Sequence, residues 1–238
     1  MYRPNTEKHH ITVITPTMGR DTLERQIESL EKQTIADSIF HLLMWDEKRI
    51  DAGIDPLSYN SPNRYSIVLP WGLGRYKGAP GSSLRAVALM AANTPWVTFA
   101  DDDVTWLPQH AESMLKAGAG HYWVSCFRRM YAPETGGRFA EQGRGEFLGI
   151  DKFESVGDLP SRNVPYEMID NNCMMFSRLS GVHAAHLYRL IEGPGDDRHF
   201  YSWMKQHAGP LARTGLATIE HTCPAHLVDF FKHNCSKE

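Results

Sequence analysis

The sequence lacks the features that mark membrane, secreted and repeat proteins. It has no apolar run near the roughly 20 residues that cross a bilayer, and its polar first ten residues lack the apolar stretch of a signal peptide. It shows no internal repeat and no low-complexity segment, which excludes a solenoid or a propeller. The cysteines are few, widely spread and without a CxxC pair: Cys126, Cys173, Cys223 and Cys235. We therefore expect a soluble, cytoplasmic protein whose thiols are free.

A large excess of charge of either sign is also missing. The 25 basic and 28 acidic side chains give a formal net charge of −3, so the global positive field of a nucleic-acid-binding protein is absent. A local basic groove is compatible with this balance, and its candidates are Arg128, Arg129, Arg138 and Arg144. The 238 residues, 42% of them hydrophobic, are enough for one domain with a sizeable core, which we place over residues 1–238.

The most informative stretch is residues 96–104, where an apolar run ends in three adjacent carboxylates. The run WVTFA has the β-branched and aromatic character of a buried strand, and Asp101, Asp102 and Asp103 follow it directly. Carboxylates this close repel one another, and burying them unpaired is costly. Mg²⁺ or Mn²⁺ carrying a phosphate would neutralise them, because hard cations prefer oxygen ligands. The structural alternative is a solvated turn, or an acidic cap for a helix that begins near Pro108.

The opening of the chain predicts a parallel sheet. Residues 11–15 are typical of a strand, Asp21 is placed to cap a helix that runs to about Gln33, and residues 40–45 form a second strand that ends at Asp46. Ligands of parallel sheets bind at the carboxyl ends of the strands. We therefore expect residues 15–20, Asp46 and the acidic triplet to be neighbours in space. For Asp46 alone, a turn residue after a strand is the simpler interpretation.

A glycine-rich loop and a helix separate a third strand, at residues 65–69, from the triplet. The loop, residues 72–81, contains Arg75 and Lys77, but its spacing matches neither GxGxxG nor GxxxxGK[ST]. It fits a phosphate-binding loop or a loop that closes over a ligand. Ser82 or Ser83 is placed to cap a helix that runs to about Ala92. Arg85 lies in its first turns, where a cation is unfavourable, which indicates either a function or a surface ion pair.

The second half of the chain carries two further polar corners. The pattern predicts a helix at 108–117, a strand at 122–128, and then a long irregular segment to residue 165 that suits acceptor binding. Asn171 and Asn172 begin an apolar strand as turn residues or as donors to a substrate. After a helix at 179–191, Asp196 is placed to cap a helix at 200–207 with Asp197 in its first turn. The catalytic alternative is that one of these two acids is a general base.

The order of these pieces resembles the GT-A glycosyltransferases and, within them, the inverting, DxD-containing family 2. ITVITPTMGR at 11–20 is similar to that family's first strand and TPTYNR turn. GSSLRA at 81–86, followed at the correct spacing by FADDD at 99–103, resembles the family's arginine helix and DxD strand. NNCMMF at 171–176 resembles the acceptor-side strand, and GDDRHF at 195–200 resembles the segment with the catalytic base. Departures such as Ala86, Ala100 and Thr94 put the subfamily in question more than the fold.

The resemblance implies an α/β, GT-A (Rossmann-like) fold, with a mostly parallel central sheet flanked by helices and a smaller acceptor-side subregion. Residues 1–105 would be the nucleotide-sugar-binding half, and residues 106–238 the acceptor-binding half with a C-terminal extension. It further implies a metal-dependent enzyme that moves a sugar from a nucleotide-diphosphate sugar, most commonly a UDP-sugar, to an acceptor hydroxyl with inversion.

The resemblance also assigns roles to residues of this chain. The catalytic base would be Asp197 or Asp196, and the cofactor Mn²⁺ or Mg²⁺ would bind Asp101, Asp102, Asp103 and, by analogy with a C-terminal histidine of GT-A enzymes, His221. The residues implied to bind the donor nucleotide are Thr15, Pro16, Thr17, Arg20, Asp46, Arg85, Asp101 and Asp102. The residues implied to bind the acceptor are Asn171, Asn172 and Arg198.

Three alternatives share the same sequence features. A retaining GT-A enzyme has the same donor site and differs on the acceptor side. A sugar nucleotidyltransferase also has a metal site at a sheet end, but it releases pyrophosphate. A non-catalytic sugar-binding relative keeps the fold without turning over a donor, although two acidic corners argue against it. The acceptor is open to a glycan, a protein, a small molecule or a nucleic-acid base.

Overall fold

One sheet organises the part of the chain that the computed structural model describes, namely residues 8–70, 81–132, 137–139, 169–190 and 196–222. Its strands are β1 (Ile11–Thr17), β2 (Ile39–Asp46), β3 (Arg64–Leu69), β4 (Trp96–Phe99), β5 (Val104–Trp106), β6 (Trp123–Ala132), β7 (Gly137–Phe139), β8 (Met174–Ser177) and β9 (Ala212–Thr222). Helices flank the sheet, so the predicted α/β class is confirmed.

The strand order is β3-β2-β1-β4-β8-β6-β9-β5, with β7 attached to β6. The pairs β3–β2, β2–β1 and β1–β4 are parallel, as the alternating strand and helix patterns predict. Beyond β4 the pairing becomes antiparallel, except that β6 and β9 are parallel. The carboxyl ends of β1, β2 and β4 therefore meet at one edge of the sheet.

The helices follow the predicted segments, but several of their ends differ. They are α1 (Leu23–Glu31), α2 (Ser82–Ala91), α3 (His110–Gly118), α4 (Arg178–Ala184), α5 (His186–Leu190) and α6 (Asp196–His207). The predicted helix at 179–191 is thus two helices, and α6 already begins at Asp196. None of the described helices has the length and apolar character needed to cross a membrane.

The predicted helix caps were wrong in two cases. Thr22, not Asp21, is the residue before α1, and its side chain makes no capping hydrogen bond. The α1 helix is instead stabilised by its apolar face, where Leu23, Ile27 and Leu30 are buried. Gly81 precedes α2 with a φ of +86°, whereas the two serines expected to cap it are buried inside its first turn.

The strand β9 was missed from the sequence. Its burial does not alternate between buried and exposed, so the period-2 signal of a strand is absent. The strand is specified by its partners, since it lies between β6 and β5. Pairing with β5 sets His221 opposite Val104 and therefore next to the acidic triplet.

An aromatic cluster joins β4 to the helices of the second half. Phe99, Phe176, Tyr188 and Phe200 are all buried, and their ring centroids lie 5.0–6.2 Å apart. Phe200 lies one turn into α6, and Phe99 is the last residue of β4. The cluster therefore anchors the first turn of α6 against the strand that precedes the triplet.

A buried polar network links β1, β2 and α1 beneath the carboxyl edge. The Thr15 hydroxyl donates its one proton to the Ala100 carbonyl at 2.6 Å, so it accepts from Gln26 at 3.1 Å and from His41 Nε2 at 2.9 Å. Burial, together with the charge of Arg64, lowers the pKa of His41 to about 3. His41 is therefore a neutral imidazole in the folded protein.

We expect Phe200→Ala to lower the free energy of unfolding by about 3–5 kcal/mol, because it removes a buried ring from the aromatic cluster. Denaturant unfolding followed by circular dichroism measures this loss. Leu179→Ala is the control, since that side chain is 64% exposed and its truncation should stay within about 0.5 kcal/mol of the wild type. Equal losses in both variants would contradict the assigned role of the cluster.

His41 also predicts a pH dependence of stability. Between its ordinary pKa of 6.5 and its folded pKa of about 3, the unfolded chain binds a proton that the folded chain does not. Stability should therefore fall as the pH falls through this range, by about 1.4 kcal/mol per pH unit from this residue alone. His41→Gln keeps an N–H donor toward Thr15 and does not titrate. Its urea-unfolding profile should be flatter than that of the wild type between pH 5.5 and 4, and parallel profiles would refute the assignment.

Candidate active site

A cleft of about 300 Å³ opens at the carboxyl edge of the sheet. Its walls come from the ends of β1, β2 and β4, which the sequence expected to be neighbours, and from the first turn of α2. The lining residues are Pro16, Thr17, Met18, Arg20, Asp46, Arg49, Gly81, Leu84, Arg85, Asp101, Asp102 and Asp103. All residues expected to bind the donor nucleotide are among them except Thr15. That side chain is fully buried with its hydroxyl occupied, so it supports the edge from behind.

The acidic triplet forms a tight turn between β4 and β5. The Val104 N–H donates to the Asp101 carbonyl at 3.0 Å, which closes the turn directly after the buried strand. The three side chains extend from it toward two arginines. Two guanidinium groups from other segments partly neutralise them: Arg85 pairs with Asp101, and Arg20 pairs with both Asp102 and Asp103.

Asp102 is the most buried member of the triplet, with 1% of its surface exposed. Its carboxylate accepts a hydrogen bond from the Thr17 hydroxyl at 2.7 Å and forms an ion pair with Arg20. Burial raises the pKa of Asp102, although Arg20 and Thr17 act in the opposite direction. Asp103 is buried less. Burial also acts to raise its pKa, but the hydrogen bond to His221 and the charge of Arg20 lower it below the ordinary value.

Arg85 lies in the first turn of α2, where the helix dipole disfavours a cation. Its ion pair with Asp101 offsets that cost, and its guanidinium carbon lies 5.7 Å from the centre of the Phe99 ring. The interpretation of Arg85 as a surface salt-bridge residue was therefore wrong, because the residue is buried and faces the cleft.

Asn172 contacts the triplet rather than an open surface. Its amide oxygen accepts the Asp101 N–H at 2.7 Å, and its amide nitrogen donates to the Asp101 carboxylate at 3.2 Å and to Asp170 at 2.9 Å. Both ends of the amide are thus used inside the protein, which does not fit the expected acceptor contact. Asn171 is also buried, and its side-chain oxygen has no hydrogen-bond partner within the described ranges.

His221 lies between Arg128 and Asp103. Its Nδ1 is 3.3 Å from an Arg128 nitrogen and its Nε2 is 3.5 Å from the Asp103 carboxylate. A guanidinium only donates, so Nδ1 accepts and the ring proton is on Nε2, facing Asp103. A metal ligand needs a lone pair at that nitrogen, so His221 would have to change its tautomer to bind a metal, and its assignment as a ligand stays a prediction. Within the described ranges, no three His, Cys, Asp or Glu side chains converge on a common metal position.

The second acidic corner is described only in part. Asp197 lies in the first turn of α6 and is partly buried, while the side chains of Asp196 and Arg198 fall outside the described part of the structure. The proposed general base therefore stays a prediction. Arg75 and Lys77 of the glycine-rich loop also lie outside the described residues.

The basic groove suggested for nucleic acid is not supported at its first member. Arg128 is 4% exposed and donates to Asp170 at 2.7 Å, so its charge is neutralised inside the protein. Arg144 and the side chain of Arg138 lie outside the described residues.

Two charged residues of the site were not found from the sequence. Arg49 lines the cleft 3.9 Å from Asp46, and its only sequence signal is its position three residues after that acid. Asp170 lies behind the triplet, and its only signal is an acid placed directly before an asparagine pair.

Comparison with solved structures identifies S. aureus TarS as a structural neighbour. The crystal structure of TarS 1–349 has a TM-score of 0.63 at 17% identity and is matched over 92% of this chain and 62% of that chain. TarS 1–349 in complex with UDP gives 0.61 at 16% identity, over 90% and 60%. The complex with UDP-GlcNAc gives 0.57 at 16% identity, over 90% and 59%. At these identities the likeness shows the fold, and the expected GT-A fold is confirmed.

A sequence relative is validoxylamine A glucosyltransferase of Streptomyces hygroscopicus subsp. limoneus. It is 33% identical over 112 residues, which are 46% of this chain and 24% of that protein. The similarity thus spans about a quarter of the length of this curated relative. No protein-family model matches the sequence.

The backbone at Gly81 lies so close to Pro16 that a side chain there should disturb the cleft wall. Its φ is +86°, and a Cβ at this position would lie 2.9 Å from the Pro16 Cβ. Gly53 is a matched control, because its φ is +90° and a Cβ there would meet nothing within 4 Å. We expect Gly53→Ala to cost about 1–2 kcal/mol from backbone strain alone. Gly81→Ala should cost more in urea unfolding, since Pro16 must also shift. Equal losses would show that the close approach to Pro16 does not constrain the cleft.

Proposed function

We propose that this chain is a glycosyltransferase that binds a nucleotide-diphosphate sugar in the cleft and transfers the sugar to an acceptor hydroxyl. The observation that carries the proposal is the pair Arg20 and Arg85 beside the acidic triplet, at the carboxyl ends of the parallel strands β1, β2 and β4. The likeness of the fold to TarS, which has been solved with UDP and with UDP-GlcNAc, supports a UDP-sugar as the donor.

The nucleotide end of the donor would bind near Asp46. This carboxylate ends β2, is 2% exposed and lines the cleft. One of its oxygens accepts the Lys48 N–H at 3.2 Å, which fixes the orientation of the carboxylate. A buried acceptor with this orientation suits an N–H of a nucleotide base, and Pro16 and Thr17 form the adjacent wall.

The diphosphate would bind Arg20 and Arg85. Guanidinium groups bind phosphate through paired, charge-assisted hydrogen bonds. Both arginines are paired with the triplet in the protein alone, so the donor must compete with Asp101, Asp102 and Asp103 for them. Four carboxylates and three guanidinium groups line the described cleft, so it is already slightly negative before a diphosphate enters.

This charge balance supports a divalent cation, Mn²⁺ or Mg²⁺, as part of the donor complex. The carboxylates of the triplet are the residues of this chain that would hold it, as hard oxygen ligands. When bound, the cation would stabilise the charge that develops on the leaving nucleoside diphosphate. The triplet is arranged here as an ion-pair network, so the carboxylates would have to leave their arginine partners to bind a metal.

The transfer step would use Asp197 or Asp196 as the general base. The carboxylate takes the proton of the acceptor hydroxyl, the acceptor oxygen bonds to the anomeric carbon, and the bond from that carbon to the diphosphate oxygen breaks. The nucleoside diphosphate leaves with the electron pair of that bond. In-line attack of this kind inverts the anomeric centre. The aromatic cluster positions the start of α6 beside the end of β4, which supports this assignment.

We expect UDP to bind in the presence of Mn²⁺, and Arg20→Gln and Arg85→Gln to weaken binding about 10- to 100-fold through the loss of charge-assisted hydrogen bonds. Isothermal titration calorimetry with a panel of nucleoside diphosphates measures this. Arg64→Gln is the control, because that arginine pairs with Glu31 away from the cleft. Absence of binding by any nucleotide, with and without metal, would contradict the proposal.

Removing the metal tests the cofactor separately. We expect EDTA to weaken UDP binding and Mn²⁺ or Mg²⁺ to restore it, because the diphosphate adds charge to a cleft that is already negative. Unchanged binding in EDTA would show that the arginines suffice. Product analysis by NMR then separates the related activities, since a retaining enzyme keeps the anomer of the donor and a nucleotidyltransferase releases pyrophosphate.

A further inference from the structure

A buried acid lies behind the triplet and outside the residues that line the cleft. Asp170 precedes the short 3-10 turn Asn171–Cys173, which leads into β8. It is 8% exposed, and each of its two carboxylate oxygens accepts hydrogen bonds from a different direction. The two sets of contacts lead to opposite ends of the triplet.

The first path runs through Asn172 to Asp101. Oδ1 of Asp170 accepts the Asn172 backbone N–H at 2.8 Å and its side-chain N–H at 2.9 Å. This orients the Asn172 amide so that its oxygen accepts the Asp101 N–H at 2.7 Å. The first carboxylate of the triplet is therefore fixed through both its backbone and its side chain.

The second path runs through Arg128 and His221 to Asp103. Oδ2 of Asp170 accepts from Arg128 at 2.7 Å, and the same Arg128 nitrogen lies 3.3 Å from His221 Nδ1. Because that contact leaves the proton on Nε2, His221 directs an N–H toward Asp103 at 3.5 Å. The last carboxylate of the triplet is thus oriented from the same acid.

We propose that Asp170 is a positioning residue, which orients Asp101 through Asn172 and Asp103 through Arg128 and His221. The two paths and the triplet form a closed ring of contacts, and Asp170 contacts both paths without lining the cleft. Both paths depend on this one residue, and changing it removes no group that would touch a ligand. The activity part of this inference rests on the proposed glycosyltransferase function, whereas the orientation of His221 does not.

The ring needs a carboxylate at this position because it needs two acceptor oxygens. Asp170→Asn preserves the shape but offers one acceptor and one N–H₂ group. Whichever way that amide is turned, its N–H₂ group faces either the N–H groups of Asn172 or the guanidinium of Arg128. One of the two paths is therefore broken in the variant. Arg128→Met breaks the second path alone and leaves the first intact.

The first experiment uses ¹⁵N NMR to determine which ring nitrogen of His221 carries the proton, and it needs no ligand. In the wild-type protein we expect a single tautomer, with an accepting Nδ1 and the proton on Nε2. Arg128→Met should abolish the fixed tautomer, since it removes the donor that faces Nδ1. Asp170→Asn should change the ring signals as well, because Arg128 loses its counter-charge. A wild-type ring with its proton on Nδ1 would overturn the second path.

The second experiment measures UDP binding and sugar transfer in Asp170→Asn. The control is a variant that also loses a buried hydrogen bond but lies away from the triplet. Asp170→Asn should lower Mn²⁺-dependent UDP affinity or kcat about 10- to 100-fold, the usual effect of removing a group that orients a ligand-binding side chain. Thr94→Val is the control. It removes a buried hydrogen bond with Thr12 at the other end of β4 and should keep wild-type binding and kcat. Arg128→Lys keeps the charge and one donor group, so it should fall between Arg128→Met and the wild type.

The outcomes separate the two proposals. If wild-type protein binds no nucleotide but shows the expected His221 tautomer, the proposed function fails and the ring stands. If the wild type binds UDP and Asp170→Asn binds and turns over equally well, the positioning role is overturned and the function stands. If Thr94→Val loses as much activity as Asp170→Asn, the loss reflects stability, and the positioning role is again overturned.

Discussion

The site depends on the partial neutralisation of three adjacent carboxylates by two guanidinium groups from other segments. Asp101, Asp102 and Asp103 follow a strand in which Val97, Thr98 and Phe99 are buried, and burying unpaired charges there is costly. Arg20 arrives from the turn after β1, and Arg85 from the first turn of α2. In the first turn of α2 the helix dipole disfavours the charge of Arg85, and the ion pair with Asp101 offsets that cost. The fold therefore brings opposite charges from three segments together at the cleft, and a diphosphate ligand would bind by replacing some of these ion pairs.

The sheet topology determines which residues meet at the cleft. Because β1, β2 and β4 are parallel and adjacent, their carboxyl ends deliver Thr17, Asp46 and the triplet to one edge. The pairing of β5 with β9 then brings His221 to the same place from far along the chain. The strand β8 lies directly beside β4 and carries Asn172 to the other side of the triplet. The cleft is thus built from the parallel strands, and its acidic wall is supported from the antiparallel ones.

The sequence predicted what local patterns and short-range order determine. It predicted the first four parallel strands, the neighbourhood of residues 15–20 with Asp46 and the triplet, and the α/β class. It did not predict β9, because its burial is set by its partners and not by alternation. The sequence predicted that Asn172 binds the acceptor. In the folded chain, both the oxygen and the nitrogen of its amide instead bond to other residues of the protein. It did not find Asp170 or Arg49, since their partners are specified by side-chain contacts that no periodic pattern records.

The position of β9 has a consequence for the order in which the molecule is made. Residues 11–106 contain the cleft walls, but the strand that pairs with β5 ends only at Thr222. During synthesis, more than a hundred residues must be added after the triplet before His221 can contact Asp103. Contacts between such distant parts of a chain form slowly, because the intervening segment loses conformational freedom first. A nascent chain released early would therefore carry its acidic wall without the histidine that contacts the last carboxylate of the triplet.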